Sequence, residues 1–275
     1  MEIPTDSAGN IYVDNVSVNY VVFIPSYDRL QTVQETTLKL LDKHKIPKNL
    51  ITFFLETEKM TEEYKQALGE EYNYITTFTK GICEKRNYLE YYAHDLQKKL
   101  NKSINVIHID DDIEDIVDYN RSIRNLTHLI QVGFDSCYKS GCHFFGISPF
   151  HNKFFLKRKI TTSLKYVCGA FYGEVIDGTR EPVIVDVDHG EDLQRSMEAF
   201  IRDDGIVRIN HIALHTAYFP NSGITAYCGG REERKKEMIT NCTYLADRYS
   251  DMCKYVVNKW GATVRLNHHY KNKKL

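Results

Sequence analysis

Apolar positions along the chain change period repeatedly, and the changes mark its elements. Tyr20-Val21-Val22-Phe23-Ile24 is a nearly all-apolar run rich in β-branched and aromatic residues, stopped at Pro25. Such a run predicts a strand buried on both faces. Leu30, Val33, Leu40 and Leu41 then fall at helical spacing until Lys45-Ile46-Pro47 breaks the pattern. A strand near Leu50 to Leu55, a helix near Thr61 to Leu68, a strand near Tyr74 to Phe78, a helix over Ile82 to Leu100 and a strand over Ile104 to Ile109 follow. Strands alternating with helices every ~25 to 30 residues predict an α/β fold with a largely parallel, Rossmann-like sheet flanked by helices. In such a sheet ligands lie beyond the carboxyl ends of the strands. The segment ahead of the first strand, Met1 to Ser17, reads as an arm.

The second half is mixed. His143 to Ile147, Leu164 to Phe171, Val183 to Val187 and Ile206 to Ile209 predict strands, and Glu191 to Ile201 a helix. A long amphipathic helix is predicted over Arg231 to Asn258, with Gly261 as its C-cap.

The 275 residues are 42% hydrophobic and carry no Ser/Pro/Gly-rich linker or internal repeat, so residues 18–275 read as one domain. Its 36 basic and 37 acidic residues nearly cancel, which removes any overall field drawing the protein to nucleic acid or anionic membrane. Two local basic segments remain, residues 153–159 and the tail from 259 to 274. Seven cysteines include no CxxC pair and leave one over from complete pairing, which predicts reduced thiols. Cys137 to His143 offers one zinc-like half-site, but no second with ligand spacing follows. No apolar run approaches the ~18 residues of a membrane span. The expected setting is the cytoplasm.

In Val106-Ile107-His108-Ile109-Asp110-Asp111-Asp112-Ile113, three carboxylates stand where an apolar strand meets solvent. Their mutual repulsion is costly without a cation. Magnesium or manganese binds through one or two carboxylates plus substrate phosphates, so a nucleotide would complete the site. A helix N-cap would use one Asp, not three. Gly169-Ala170-Phe171-Tyr172-Gly173 is a second point where backbone can come close to a ligand, since glycine carries no obstructing side chain. Ser222 to Arg231 reads as a loop leading into a helix.

Pro25-Ser26-Tyr27-Asp28-Arg29 after the first strand, Lys85-Arg86-Asn87 on the central helix and the acidic triplet after the fourth strand together resemble the nucleotide-sugar half of GT-A glycosyltransferases. The likeness spans residues 20 to 115, with weaker echoes to about 230. It implies a donor half over residues 18–115 and an acceptor half over 116–275. Pro25, Ser26, Tyr27 and Arg29 are implied as nucleoside contacts, Arg86 as a diphosphate contact, Asp110 and Asp111 as donor-binding, and Gly169 and Ala170 as neighbours of the donor sugar. Asp110, facing ribose, and Asp112 are the implied metal ligands, with His215 preferred over His211, His268 and His269 as the late histidine such sites often take.

Val183-Ile184-Val185 runs into Asp186-Val187-Asp188-His189-Gly190-Glu191-Asp192 at the head of a helix. This resembles the acidic pair that serves GT-A enzymes as base or acceptor contact, and it implies Asp192 and Glu191, then Asp188, as catalytic candidates. Favourable first-turn charge is their alternative use.

The stretch from Gly190-Glu191-Asp192 to Gly229-Gly230-Arg231 is similar to phage and viral glycosyltransferases that decorate hydroxymethylated pyrimidines. That implies double-stranded DNA as a partner, held through the basic segments at 153–159 and 259–274. A glycan, lipid or protein acceptor is the second glycosyltransferase reading. A nucleotidyltransferase could use the same sheet and metal, although no glycine-rich phosphate loop with a basic residue follows the first strand. A non-catalytic nucleotide- or DNA-binding module is the remaining alternative.

Overall fold

A computed structural model describes residues 11–13, 16–18, 20–119, 121–216, 231–258 and 261–271. Strands β1 (Ile11–Val13) and β2 (Val16–Val18) pair with each other, within the segment expected to be an arm. The loop expected over residues 222–230 lies outside the described residues.

The apolar run at the start of the domain forms β3 (Val21–Pro25), buried throughout. Helical spacing after it yields two short helices, α1 (Leu30–Glu35) and α2 (Thr37–Lys43), broken at Thr36. Then come β4 (Ile51–Leu55), α3 (Glu58–Leu68), β5 (Asn73–Thr76), α4 (Gly81–Leu100) and β6 (Ile104–Ile109). Strands β5, β4, β3 and β6 lie side by side in that order, all parallel. The chain thus builds outward on one side of β3 and returns through α4 to its other side. The crevice beyond the carboxyl ends of β3 and β6 is the topological switch point, the place where such sheets bind ligands. Ser26 leaves one strand there and Asp110 the other.

The sheet continues past β6 with β11 (Phe171–Ile176), β9 (Phe144–Ser148), β12 (Val207–Thr216), β7 (Ile113–Asp118) and β8 (Arg121–Ser122), while β10 (Ile160–Thr161) pairs with the first part of β12. Here β9 and β12 are parallel and the other pairings antiparallel. Helix α5 (Leu126–Ser140), which the sequence reading left out, packs on this half. Helix α6 (Glu191–Asp203) and helix α7 (Arg231–Arg248) cover a second apolar cluster that includes Phe144, Tyr172, Met197 and Leu245.

Three expected elements differ. Leu164 to Phe171 is no strand up to Phe171: Leu164 and Val167 are buried, but the Val167 N–H is taken by Ser196 Oγ at 3.0 Å. Val183, Val185 and Val187 alternate and are buried as a strand would require, yet among the described residues no strand pairs with them. Side chains do that work instead: Asn87 Nδ2 donates to the Val185 carbonyl, Val185 N–H donates to Asn87 Oδ1, and Asp186 N–H donates to Gln194 Oε1. Finally, the helix from Arg231 stops at Arg248, and the rest forms a hairpin, β13 (Cys253–Asn258) with β14 (Gly261–Leu266). Ala262, Val264 and Leu266 are buried at alternate positions, the period of a strand rather than a helix. Gly261, at φ +127°, opens the second strand instead of capping a helix.

Among the described residues, no helix is long and apolar enough to cross a membrane.

Candidate active site

The acidic triplet is the turn between β6 and β7, and its three carboxylates have separate surroundings. Asp111 points inward: Ser26 Oγ donates to its Oδ2 at 2.5 Å and Arg29 Nη1 to its Oδ1 at 2.9 Å. It therefore fastens the loop after β3 to the loop after β6 and has no free face for a donor. Asp112 Oδ2 shares the same Arg29 nitrogen at 3.0 Å. Asp110 Oδ1 takes Arg86 Nη2 at 2.5 Å, and the Asp110 N–H donates to the Ala170 carbonyl. Backbone carbonyls of the turn are latched by the break between α1 and α2, since Thr36 Oγ1 donates to Asp111 O and Thr37 Oγ1 to Asp110 O.

Burial, and after it repulsion from Asp110 and Asp111, pushes the Asp112 carboxyl up to about 7 despite Arg29. Burial raises Asp111 too, opposed first by Arg29. The triplet is thus a concentration of negative charge that two guanidiniums, those of Arg29 and Arg86, only partly offset. One oxygen of Asp110 and one of Asp112 accept no hydrogen bond from the described residues. Two such oxygens fit magnesium or manganese, which uses one or two carboxylates and leaves its other positions to water and phosphate. Among the described residues no three His, Cys, Asp or Glu side chains are grouped to hold a metal on their own. His215, expected as third ligand, is exposed on β12 with Nδ1 2.6 Å from Glu114.

Ser26 is buried, and Tyr64 donates to its Oγ at 2.7 Å while Lys85 Nζ donates to its carbonyl at 3.2 Å. Burial lowers the Lys85 ammonium to about 8. Pro25 ends β3 in the core, and Tyr27 stands at the mouth, 37% exposed. This is a rigid wall with one accessible ring.

Arg86 was expected at the diphosphate, but it is 1% exposed and already engaged. Besides Asp110, its Nη2 donates to the Gly169 carbonyl at 2.9 Å, and its Nε lies 3.5 Å from Glu191. The Tyr172 ring lies 5.7 Å from this guanidinium and 4.7 Å from that of Arg195, so its π face supports both cations. Arg86 positions Asp110. Glu191, expected as a catalytic candidate, is correspondingly buried between Arg86 and Arg195, its carboxyl pushed up to about 7 by burial. Its charge is used in holding Arg86.

Asp188, the third catalytic candidate, accepts the Cys83 N–H at 2.8 Å and so caps the start of α4. A Cβ at Gly81 would lie 2.6 Å from the Asp188 carboxylate, which explains the glycine there. Asp192 differs from both. It is half-buried, and its Oδ2 accepts the Tyr166 hydroxyl and the Gly169 N–H. Gly169 thereby links Asp192 on one side to Arg86 and Asp110 on the other, and its missing Cβ would sit 2.9 Å from Glu191. Next to it, Cys168 enters the wall of a cavity of about 360 Å³ bounded also by Phe150, His151, Leu214 and His215. A carboxylate cluster thus faces one side of the Gly169 loop and an open cavity the other.

Tyr64, Thr36, Thr37 and Tyr166 were not anticipated, and Lys85 and Tyr172 stood in segments singled out by sequence without a role of their own. A signal existed for some: Lys85, Arg86, Glu90 and His94 share the buried side of α4 with Leu89 and Ala93, and charges on an apolar helical stripe are buried only when partnered.

No protein-family model matches the chain, and no curated protein matches it by sequence. Solved structures do resemble it. A mannosyltransferase, PcManGT from Pyrobaculum calidifontis in complex with GDP-Man and Mn2+, superposes with a TM-score of 0.51 at 10% identity over 83% of this chain and 64% of that one. S. aureus TarS residues 1–349 give 0.46 at 13% identity over 84% and 66%, and a mycobacterial protein 0.49 at 11% over 91% and 84%. The chain spans about two thirds of the length of the mannosyltransferase. What is shared is the fold, a mixed α/β sheet flanked by helices of the kind found in glycosyltransferases.

Proposed function

We propose that this chain is a metal-dependent glycosyltransferase that moves a sugar from a nucleotide-sugar to a hydroxyl acceptor. The observation that carries the reading is the pair Asp110 and Asp112, each with an uncommitted oxygen, at the switch point of a sheet shared with a GDP-Man- and Mn2+-bound mannosyltransferase. In this reading Tyr27 faces the nucleoside, buried Pro25 and Ser26 back it, and Arg29 steadies Asp112. Asp110 and Asp112 would hold Mn2+ or Mg2+, whose charge neutralises the diphosphate leaving group. Residues 18–115 form the donor half and 116–275 the acceptor half of one domain.

Of the three acidic candidates, Asp192 is the one we assign as base. Glu191 is enclosed by arginines and Asp188 holds the start of α4, whereas Asp192 is half-exposed beside the Gly169 backbone, its Oδ2 taking Tyr166 and Gly169 and its Oδ1 the Leu193 N–H. A base placed there would take the proton from an acceptor hydroxyl as the glycosyl bond forms. The acceptor we favour is a hydroxyl on a modified pyrimidine in DNA. Support for that choice is the loop from Pro149 to Lys159: its start lines the cavity, and its remainder is exposed, basic and aromatic.

The test is incubation with manganese and a panel of nucleotide-sugars, reading free nucleoside diphosphate, which is expected for at least one donor. No metal-dependent turnover with any donor removes the enzyme, and pyrophosphate released from a nucleoside triphosphate and a sugar phosphate selects a nucleotidyltransferase instead. For the acceptor, nucleosides digested from hydroxymethylated DNA should gain a sugar mass. Unchanged DNA beside a glycosylated oligosaccharide refutes the DNA acceptor.

A further inference from the structure

Around the buried amide of Asn210, four cations gather without an acid among them. Asn210 Oδ1 accepts both Arg208 Nε at 2.9 Å and Lys165 Nζ at 3.2 Å, which brings two positive side chains onto one neutral oxygen. Its backbone binds the loop on either side of Arg158, with Lys157 N–H donating to Asn210 O and Asn210 N–H to Lys159 O, each at 3.1 Å. The Asn210 Nδ2 adds a bond to Lys159 O at 3.0 Å. Arg208 Nη1 reaches only the Tyr166 carbonyl, another neutral group. Among the described residues no carboxylate pairs with Lys157, Lys159, Lys165 or Arg208.

Such an assembly is the mirror image of the acidic triplet. Burial lowers the Lys165 ammonium, and Arg208, Lys159 and Lys157 lower it further; burial alone takes Arg208 down to about 10. Holding like charges together in a half-buried place costs free energy unless an anion joins them. Beside them the same loop exposes three phenylalanines: Phe150 at 59%, Phe154 at 83% and Phe155 at 64%. Phe150 and Phe155 are 6.3 Å apart between ring centres. A simple phosphate site has no use for exposed rings, and an apolar protein partner has none for the unpaired cations. Unstacked nucleobases on a phosphate backbone use both.

We propose that Lys157, Lys159, Lys165 and Arg208 bind backbone phosphate and that Phe154 and Phe155 stack on bases of the same strand, so that the acceptor enters as single-stranded or locally opened DNA. This rests on the DNA-acceptor reading above and changes its form, since a closed duplex hides its base faces. It also names Lys165 and Arg208, which lie outside both basic segments visible in the sequence.

The experiment is fluorescence anisotropy of the full chain with a labelled oligo(dT) strand and a duplex of equal length, with no nucleotide-sugar or metal present. The strand should bind more tightly than the duplex. Phe154→Ala with Phe155→Ala should weaken strand binding about tenfold or more, as loss of base stacking does. Lys157→Ala with Lys159→Ala should weaken it and flatten the dependence of log affinity on log salt by about 1.4, at about 0.7 per lost single-strand phosphate contact. All four positions are exposed, so the variants should keep the parent's melting temperature. Three outcomes overturn the proposal: equal binding of strand and duplex, phenylalanine variants that bind as the parent does, or tighter binding to anionic phospholipid vesicles than to the strand. Because donor and metal are absent, failure here leaves the nucleotide-sugar turnover test to judge the transferase reading separately.

Discussion

Replacing Asp112 by asparagine should stabilise the metal-free protein. The Asp112 carboxyl is 20% exposed, shares one Arg29 nitrogen with Asp111, and is raised from 3.8 to about 7 chiefly by burial. At about 1.36 kcal/mol per pH unit, that gap corresponds to about 4 kcal/mol of unfavourable charge in the folded state at pH 8. Asparagine removes the charge while its carbonyl can still accept from Arg29, whose attraction is already counted in the value near 7. A gain of about 4 kcal/mol at pH 8 follows, roughly 8 °C in melting temperature for a chain of this size. The sign follows from proton binding. Between pH 4 and 7 the folded protein holds a proton on Asp112 that the unfolded chain has lost, so the parent loses stability as pH rises through that window. Asp112→Asn should therefore diverge from the parent above pH 4, reach its full advantage near pH 8, and converge below pH 4. Melting curves in EDTA from pH 4 to 8 decide the matter. A variant less stable than the parent at pH 8, or a difference independent of pH, refutes the electrostatic description of the turn.

Three further outcomes follow from the contacts. Asp188→Ala removes the acceptor of the Cys83 N–H and should cost about 1 kcal/mol of stability, as loss of a helix cap does, measured by urea unfolding. Arg86→Met leaves Glu191 without one of its two cations and should destabilise by about 3 kcal/mol at pH 8; the loss should shrink below pH 6, where Glu191 holds its proton. Asp192→Asn should retain manganese-dependent nucleotide binding by titration calorimetry and lose sugar transfer to acceptor. Retained transfer would discard Asp192 as the base.

The crevice was legible because continuous apolar runs such as Val21–Pro25 and Ile104–Ile109 admit few structures other than buried strands, and their polar ends then mark it. Order alone put the Ser26 segment and the acidic triplet at carboxyl ends of strands; that Ser26 bonds Asp111 was not foreseen. The division of labour within the triplet was not legible. That Asp111 binds Ser26 and Arg29, and Asp110 binds Arg86, depends on side-chain directions that three identical letters do not encode. Arg86 was read as facing ligand because arginines near a helix start do so often; its burial follows from the position of Tyr172 and Glu191, distant in sequence. Val183 to Val187 misled for a related reason. Its alternating burial is real, but Asn87 and Gln194 satisfy the backbone that a neighbouring strand was expected to satisfy. In the basic loop, charge was visible at residues 153–159, whereas Lys165 and Arg208 join it only through Asn210.

Asp110 and Asp112 are proposed to hold a divalent cation together with a nucleoside diphosphate. Titration calorimetry of GDP and UDP into the protein, with manganese and with EDTA, tests this proposal most directly. At least one nucleotide should bind at 1:1 stoichiometry with manganese and at least about tenfold more weakly in EDTA, and Asp112→Asn should lose the manganese effect. Equal affinity with and without manganese, or a manganese effect that survives Asp112→Asn, would contradict it.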